Sequence, residues 1–440
     1  MTFWHSPIIE MQSSCFSRMA GRTAVSVLLL WMGTTVATCQ ETVKPAEPAS
    51  AQVPPLETPT STLLTGLDIL QRDRFVQLKG QRVGLITNHT GVNRRGESLV
   101  KILQDAPEVD LTALFSPEHG FAGILDQARI DDQQDSTTGL PIFSLYGKTR
   151  KPTPDSLQNV DTLVFDIQDI GARFYTYVST MGLAMQAAAE QEIRFVVLDR
   201  PNPINGISVQ GPILDAGSES FVGFHPIPVR HGMTVGELAQ MLKQDLNLDL
   251  DLTVVPVESW QRDEMYDSTG LLWINPSPNM RNLTQALLYP GIGLIETTNV
   301  SVGRGTDTPF EIIGAPWLQP LTFAAGLNLE GLPGVRFVPL QFTPQSSKYA
   351  AQICGGVRII VTDQSQFDSL RTGLTVAVHL RRHYPTEWET KSLNRLLNHK
   401  ATYDGIIAGK SVDDLQAGYW DGLEKFIQRR KAFLIYPQEG

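Results

Sequence analysis

A chain of 440 residues, 42% hydrophobic and 19% charged, is long enough for a large buried core and for two domains. Its formal net charge is −10, and no basic cluster is longer than Arg94-Arg95 or Arg429-Arg430-Lys431, which argues against nucleic acid as a partner because phosphate binding needs clustered cations. Only Cys354 lies beyond residue 39, which excludes an internal disulfide in the folded part and leaves no CxxC metal spacing.

The chain opens with a targeting pattern. Arg18 and Arg22 precede a short apolar stretch, residues 23–32, and small residues continue to Cys39. A basic region, a short apolar core and a small-residue cleavage zone describe a secretory signal over residues 1–39. The apolar stretch falls short of the roughly 20 residues a spanning helix needs. Val36-Ala37-Thr38-Cys39 resembles a lipobox, yet Thr38 stands where Gly, Ala or Ser is usual, so a lipid anchor at Cys39 and plain secretion both stay open. Either way the expected placement is extracytoplasmic: periplasmic, secreted, or membrane-anchored as a lipoprotein. Residues 40–62 read as a disordered linker, with five prolines between residues 41 and 60.

Four apolar, β-branched runs follow, and each stops at a polar cluster. Residues 83–87 lead into Asn88-His89-Thr90-Gly91, and residues 111–115 into Ser116-Pro117-Glu118-His119-Gly120. Residues 162–165 lead into Asp166-Ile167-Gln168-Asp169-Ile170-Gly171-Ala172-Arg173, and residues 195–198 into Asp199-Arg200-Pro201-Asn202-Pro203. Helices are predicted over 96–103, 180–189 and 234–246, the last headed by the capping-box pair Thr234 and Glu237. Strand–helix alternation of this kind predicts a Rossmann-like, mostly parallel α/β domain over residues 63–287. No G-x-G-x-x-G follows the first strand, so no nucleotide cofactor is expected.

Residues 288–440 read as a smaller α+β domain, with strands at 335–340 and 357–361 and helices at 365–383 and 415–434. Its opening, through Glu296, Asn299, Ser301 and Arg304, alternates polar with small or apolar residues and reads as a sugar-contacting strand and loop. Gly303 and Gly305 flank Arg304 and would let a ligand approach the backbone. Cys354 precedes a strand and reads as a buried structural thiol. In an open α/β sheet ligands bind outside the carboxyl ends of the strands, so the four clusters should share one rim, which is how an enzyme pocket is built.

Glu118 is the leading carboxylate: turns on both sides hold it at that rim. It is either a general acid or a turn acid capping the next helix. Asp166, Gln168, Asp169 and Arg173 form the densest polar stretch. Arg173 suits a ligand carboxylate, or else an internal Asp–Arg brace. Tyr175 and Tyr177 follow with period-2 spacing. His89 and His119 both follow strand ends, but no H-x-H, HExxH or E-x-x-H pattern accompanies them, and no metal is expected. Asp199 and Asn202 sit in a proline-fixed turn as hydrogen-bonding groups.

Taken in order, these stretches, together with Phe174-Tyr175-Thr176-Tyr177, Pro276-Ser277-Pro278-Asn279-Met280 and residues 296–306, resemble the exo-β-N-acetylmuramidase family of peptidoglycan hydrolases. The resemblance covers nearly all of residues 65–437. It implies the two-domain layout with a cleft, and release of N-acetylmuramic acid from the non-reducing ends of cell-wall fragments. Muropeptides or disaccharides are then the expected ligands, without cofactor, metal, nucleic acid or protein partner.

Glycoside hydrolysis needs a proton donor and a second group at the anomeric carbon. Glu118 is the proposed acid, with Glu296 as second carboxylate and Asp169 behind it, unless the substrate's acetamido oxygen takes that part. The lactyl carboxylate calls for a cation, which Arg173 or Arg304 could supply. Asn88, His89, His119, Asp166, Gln168, Tyr175, Asp199, Asn202, Asn279 and Asn299 complete the expected contacts. A non-catalytic muropeptide-binding protein is the competing class. An esterase or amidase is weakened by the absence of G-x-S-x-G.

Overall fold

The structure, a computed structural model, describes residues 63–437 apart from Ala128. The expected secretory signal over residues 1–39, Cys39 and the expected linker over residues 40–62 lie outside the described residues. Strands in chain order are β1 (Arg82–Thr87), β2 (Asp110–Ser116), β3 (Gln133–Gln134), β4 (Pro141–Ser144), β5 (Thr162–Asp166) and β6 (Arg194–Leu198). They continue with β7 (Gln210–Ile213), β8 (Pro228–Arg230), β9 (Leu252–Val255), β10 (Ile312–Ala315), β11 (Val335–Phe342) and β12 (Cys354–Val361).

The four predicted apolar runs are β1, β2, β5 and β6. They lie within a sheet of order β3-β4-β2-β1-β5-β6-β9, parallel except for β3 at its edge. They are apolar throughout because helices cover both faces. Successive side chains take opposite sides. Ile86, Phe115, Leu163, Phe165, Phe195 and Val197 point into the larger core, shared with helices Tyr177–Glu190 and Val235–Asp245. Val83, Leu85, Val164, Val196 and Leu198 face helices Gly66–Arg72 and Leu99–Gln104. Thr234 and Glu237 do form the expected capping box.

The smaller part carries the antiparallel sheet β10-β12-β11, packed on helix Pro320–Leu329, which in turn meets helix Ser369–His383. The fold is therefore α/β, a large mostly parallel sheet followed by a smaller α+β domain. Cys354 opens β12 fully buried, and burial pushes its thiol above the ordinary range. No helix among the described residues is long and apolar enough to cross a membrane.

Helix Leu283–Ile292 spans the expected boundary between the two parts, carries Pro290 near its end and buries Ala286, Leu287, Leu288 and Ile292. One detail differs from expectation. The opening of the second part is not a strand. Residues Gly293–Thr297 form a 3₁₀ turn, closed where Thr298 N and Oγ1 bond back to the Ile295 carbonyl at 2.9 and 2.8 Å. Only at Ser301 does the chain pair with Gly314 in a β-bridge.

Candidate active site

β2 ends at Ser116, and the chain then reverses through Pro117 and two left-handed residues, His119 (φ 71°) and Gly120 (φ 75°). A non-glycine residue in that region is strained. Here His119 is held by its Nδ1, which donates to the Leu125 carbonyl at 2.8 Å. The turn leaves Glu118 half-buried in a cleft of about 410 Å³. Residues 174–177, after β5, join the same cleft, and Ser277, Asn279, Tyr289, Glu296, Arg304, Lys348 and Arg395 complete it.

Thr176 occupies the N-cap of helix Tyr177–Glu190 but makes no capping bond. A threonine there ordinarily accepts from the first helical N–H groups. Instead its hydroxyl donates to Glu118 Oε2. The helix gives up local stabilisation to orient a cleft carboxyl. Burial, then the Glu118 charge, pushes the nearby Tyr146 phenol up to about 12, so it stays protonated at neutral pH.

The second carboxylate is tied to a cation. Arg304 pairs with Glu296 through Nη1 and with Asp126 through Nη2, at 2.8 and 2.7 Å to the two Asp126 oxygens. Asn279 Nδ2 reaches Asp126 Oδ2 at 3.3 Å. Burial opposes the Arg304 charge, yet Glu296 and Asp126 hold its pKa above the ordinary value. Burial likewise opposes the Asp126 charge, but bonds from Arg304 leave that carboxyl below its usual range. Lys348 Nζ donates to the Glu296 carbonyl, while burial and Arg304 pull its ammonium down against Glu296.

Aromatic rings supply the apolar wall. Tyr175 meets Tyr177 edge-on at 5.0 Å and Tyr289 at 5.9 Å, and Tyr289 meets Phe310 at 4.7 Å. Tyr177 is locked in place: its hydroxyl donates to the Pro276 carbonyl at 2.5 Å and accepts from Asn88 Nδ2 at 3.1 Å.

Of the expected site residues, Glu118, His119, Tyr175, Asn279, Glu296 and Arg304 meet in this cleft. The others do not line it. Asn88 stands behind Tyr177. His89 Nε2 donates to the Asn275 carbonyl at 2.7 Å in a separate depression, and burial pulls its pKa down. Asp166 is fully buried in a bidentate pair with Arg200, at 2.6 and 2.9 Å, so the internal brace exists with a different arginine. Asp169 accepts from Gly171 N at 2.7 Å, shaping the turn. Gln168 and Asn202 bond backbone carbonyls of Pro201 and Met233. Asp199 anchors the start of helix Val235–Asp245 and accepts from Tyr436. Asn299 bonds the backbone of Glu387 and Glu389.

Arg173 needs the largest correction. It is 2% exposed, and its guanidinium is occupied by four carbonyls: Pro212 and Ile227 at 3.0 and 2.9 Å, Leu396 and Leu397 at 3.1 and 2.6 Å. No ligand carboxylate can reach it. The glycines around Arg304 also serve the chain rather than a ligand. A Cβ on Gly305 (φ 82°) would lie 2.1 Å from the Ser346 carbonyl oxygen, so the close approach is by the loop that delivers Lys348. Asp126, Tyr146, Thr176, Lys348 and Arg395 were missed. Thr176 lay inside a motif already singled out, whereas the other four sit in loops or a four-residue helix that carry no periodic signal.

Glycoside hydrolysis uses a pair of carboxyl groups, and this cleft offers two glutamates with different partners; sequence comparison assigns the chain to that class of enzyme. The chain belongs to the family described as exo-β-N-acetylmuramidase NamZ: residues 83–284 match its N-terminal part and residues 287–436 its C-terminal part. It is 47% identical over 376 residues to the peptidoglycan β-N-acetylmuramidase NamZ of Bacillus subtilis (strain 168), covering 84% of this chain and 91% of that protein. Two crystal structures of DUF1343 family proteins from Bacteroides fragilis share the fold. One has a TM-score of 0.81 at 37% identity, the other 0.70 at 33%, and each alignment covers 86% of this chain and all of the other.

Proposed function

We propose that this protein is an exo-acting glycoside hydrolase that releases N-acetylmuramic acid from the non-reducing ends of peptidoglycan fragments, with Glu118 as general acid. One observation carries the assignment of Glu118. Three carboxylates line the cleft, and Asp126 and Glu296 are both bound to Arg304, whereas Glu118 accepts from the Thr176 hydroxyl and makes no ion pair among the described residues. A carboxyl that must gain and lose a proton in each cycle is best left without a permanent cation. Thr176 orients it toward the leaving oxygen. Glu296, kept in place by Arg304 and by the Lys348 bond to its own carbonyl, serves the anomeric side, where positive charge develops. The aromatic wall accommodates the sugar ring.

The basic and apolar N-terminal segment supports an extracytoplasmic location, with muropeptides or muramyl disaccharides as substrates. The test is incubation of the protein with an N-acetylmuramyl-N-acetylglucosamine disaccharide and with its reversed isomer. Free N-acetylmuramic acid should appear from the first alone. Hydrolysis of neither, or of both equally, would count against the reading.

A further inference from the structure

We infer that Arg395 selects the muramic acid unit by binding its lactyl carboxylate. The inference deepens the proposed function and presumes that the cleft binds a muramyl unit. An anionic ligand entering this cleft meets Glu118, Asp126 and Glu296, and needs a cation that is not already committed. Arg304 is bound to two carboxylates, and Lys348 Nζ is bonded to the Glu296 carbonyl. His119 uses Nδ1 on the Leu125 carbonyl. Arg395 is different. Its guanidinium is exposed at the cleft and has no carboxylate partner among the described residues. It lines the same cleft as Glu118 and Tyr146 and takes no part in the Arg304 pairs.

The backbone under Arg395 is fixed. It sits in the short helix Asn394–Leu397, its N–H donates to the Ser392 carbonyl at 3.0 Å, and the Leu396 and Leu397 carbonyls are gripped by buried Arg173. Arg173 thus acts at one remove, as a positioning residue for the side chain that meets the ligand. A planar guanidinium on a rigid turn matches a carboxylate through two parallel hydrogen bonds. N-acetylglucosamine has the same ring without the lactyl acid, and would leave Arg395 to water.

The test compares three p-nitrophenyl glycosides: the N-acetylmuramide, its lactyl methyl ester, which keeps the shape and removes the charge, and the N-acetylglucosaminide. The native protein should favour acid over ester in kcat/KM by about ten- to a hundredfold. Arg395→Gln should bring that ratio close to one, and Arg395→Lys should restore part of it. An acid-to-ester ratio that survives Arg395→Gln, or a loss equal on all three substrates, would overturn the inference. If the native protein hydrolyses none of them, the proposed function fails instead. Calorimetric binding of N-acetylmuramic acid and its methyl ester then reads Arg395 directly, and equal affinities in native and variant protein would sink the inference.

Discussion

Replacing Glu118 by Gln isolates the proton from the shape. Glu118 makes one short bond, from the Thr176 hydroxyl, and no ion pair among the described residues. The glutamine carbonyl can still accept that bond, so the expected stability change is within about 1 kcal/mol. The chemistry should suffer far more. Loss of a general acid costs about 10²–10⁴ in turnover, or about 2.7–5.4 kcal/mol of barrier. The cost should be greatest on a natural disaccharide, whose sugar alcohol leaves poorly without protonation, and smaller on a p-nitrophenyl glycoside. The assay is release of free N-acetylmuramic acid from the disaccharide beside p-nitrophenol release, with a melting curve on the same samples. A variant that cleaves the disaccharide at the native rate would falsify the assignment of Glu118. A variant that melts early yet keeps its specific activity would show a turn residue instead.

Three further outcomes follow from the packing. Arg173→Met removes the charged donor from four buried carbonyls and should cost at least about 4 kcal/mol in urea unfolding, whereas a ligand-binding arginine would lose affinity and keep its stability. Gly305→Ala places a methyl group 2.1 Å from the Ser346 carbonyl in a left-handed conformation, and should cost about 1–3 kcal/mol while displacing Lys348 from Glu296; an unchanged melting temperature would contradict this. His379, 5% exposed and stacked 4.3 Å from His383, is pulled by burial, then by His383 and Arg382, from 6.5 to about 4. Between those values the unfolded chain binds more protons than the folded one, so stability falls as pH falls, by about 2 kcal/mol at pH 5. The melting temperature should therefore drop about 2–3 °C further between pH 7.5 and 5 in the native protein than in His379→Gln; equal slopes would refute it.

The hydrophobic pattern alone determines much of this protein. Continuous apolar runs can be stable only where both faces are covered, so β1, β2, β5 and β6 had to be strands of a helix-flanked parallel sheet, and their carboxyl ends had to carry the polar clusters. Glu118 was legible for the same reason, since Pro117 and Gly120 announce a turn immediately after an apolar strand. The division of labour among the polar residues was not. Asp166, Asp169, Arg173 and Asp199 carry the same local signal as ligand-binding groups, and only tertiary packing shows that they satisfy buried carbonyls, N–H groups and Arg200 instead. Buried polar atoms must be paired, and the pairing partner can lie hundreds of positions away, as Leu397 does from Arg173. Asp126, Lys348 and Arg395 reach the cleft from loops or a four-residue helix with no periodicity to read, so their chemistry comes into view only once the two sheets and their connecting turns are folded around one space.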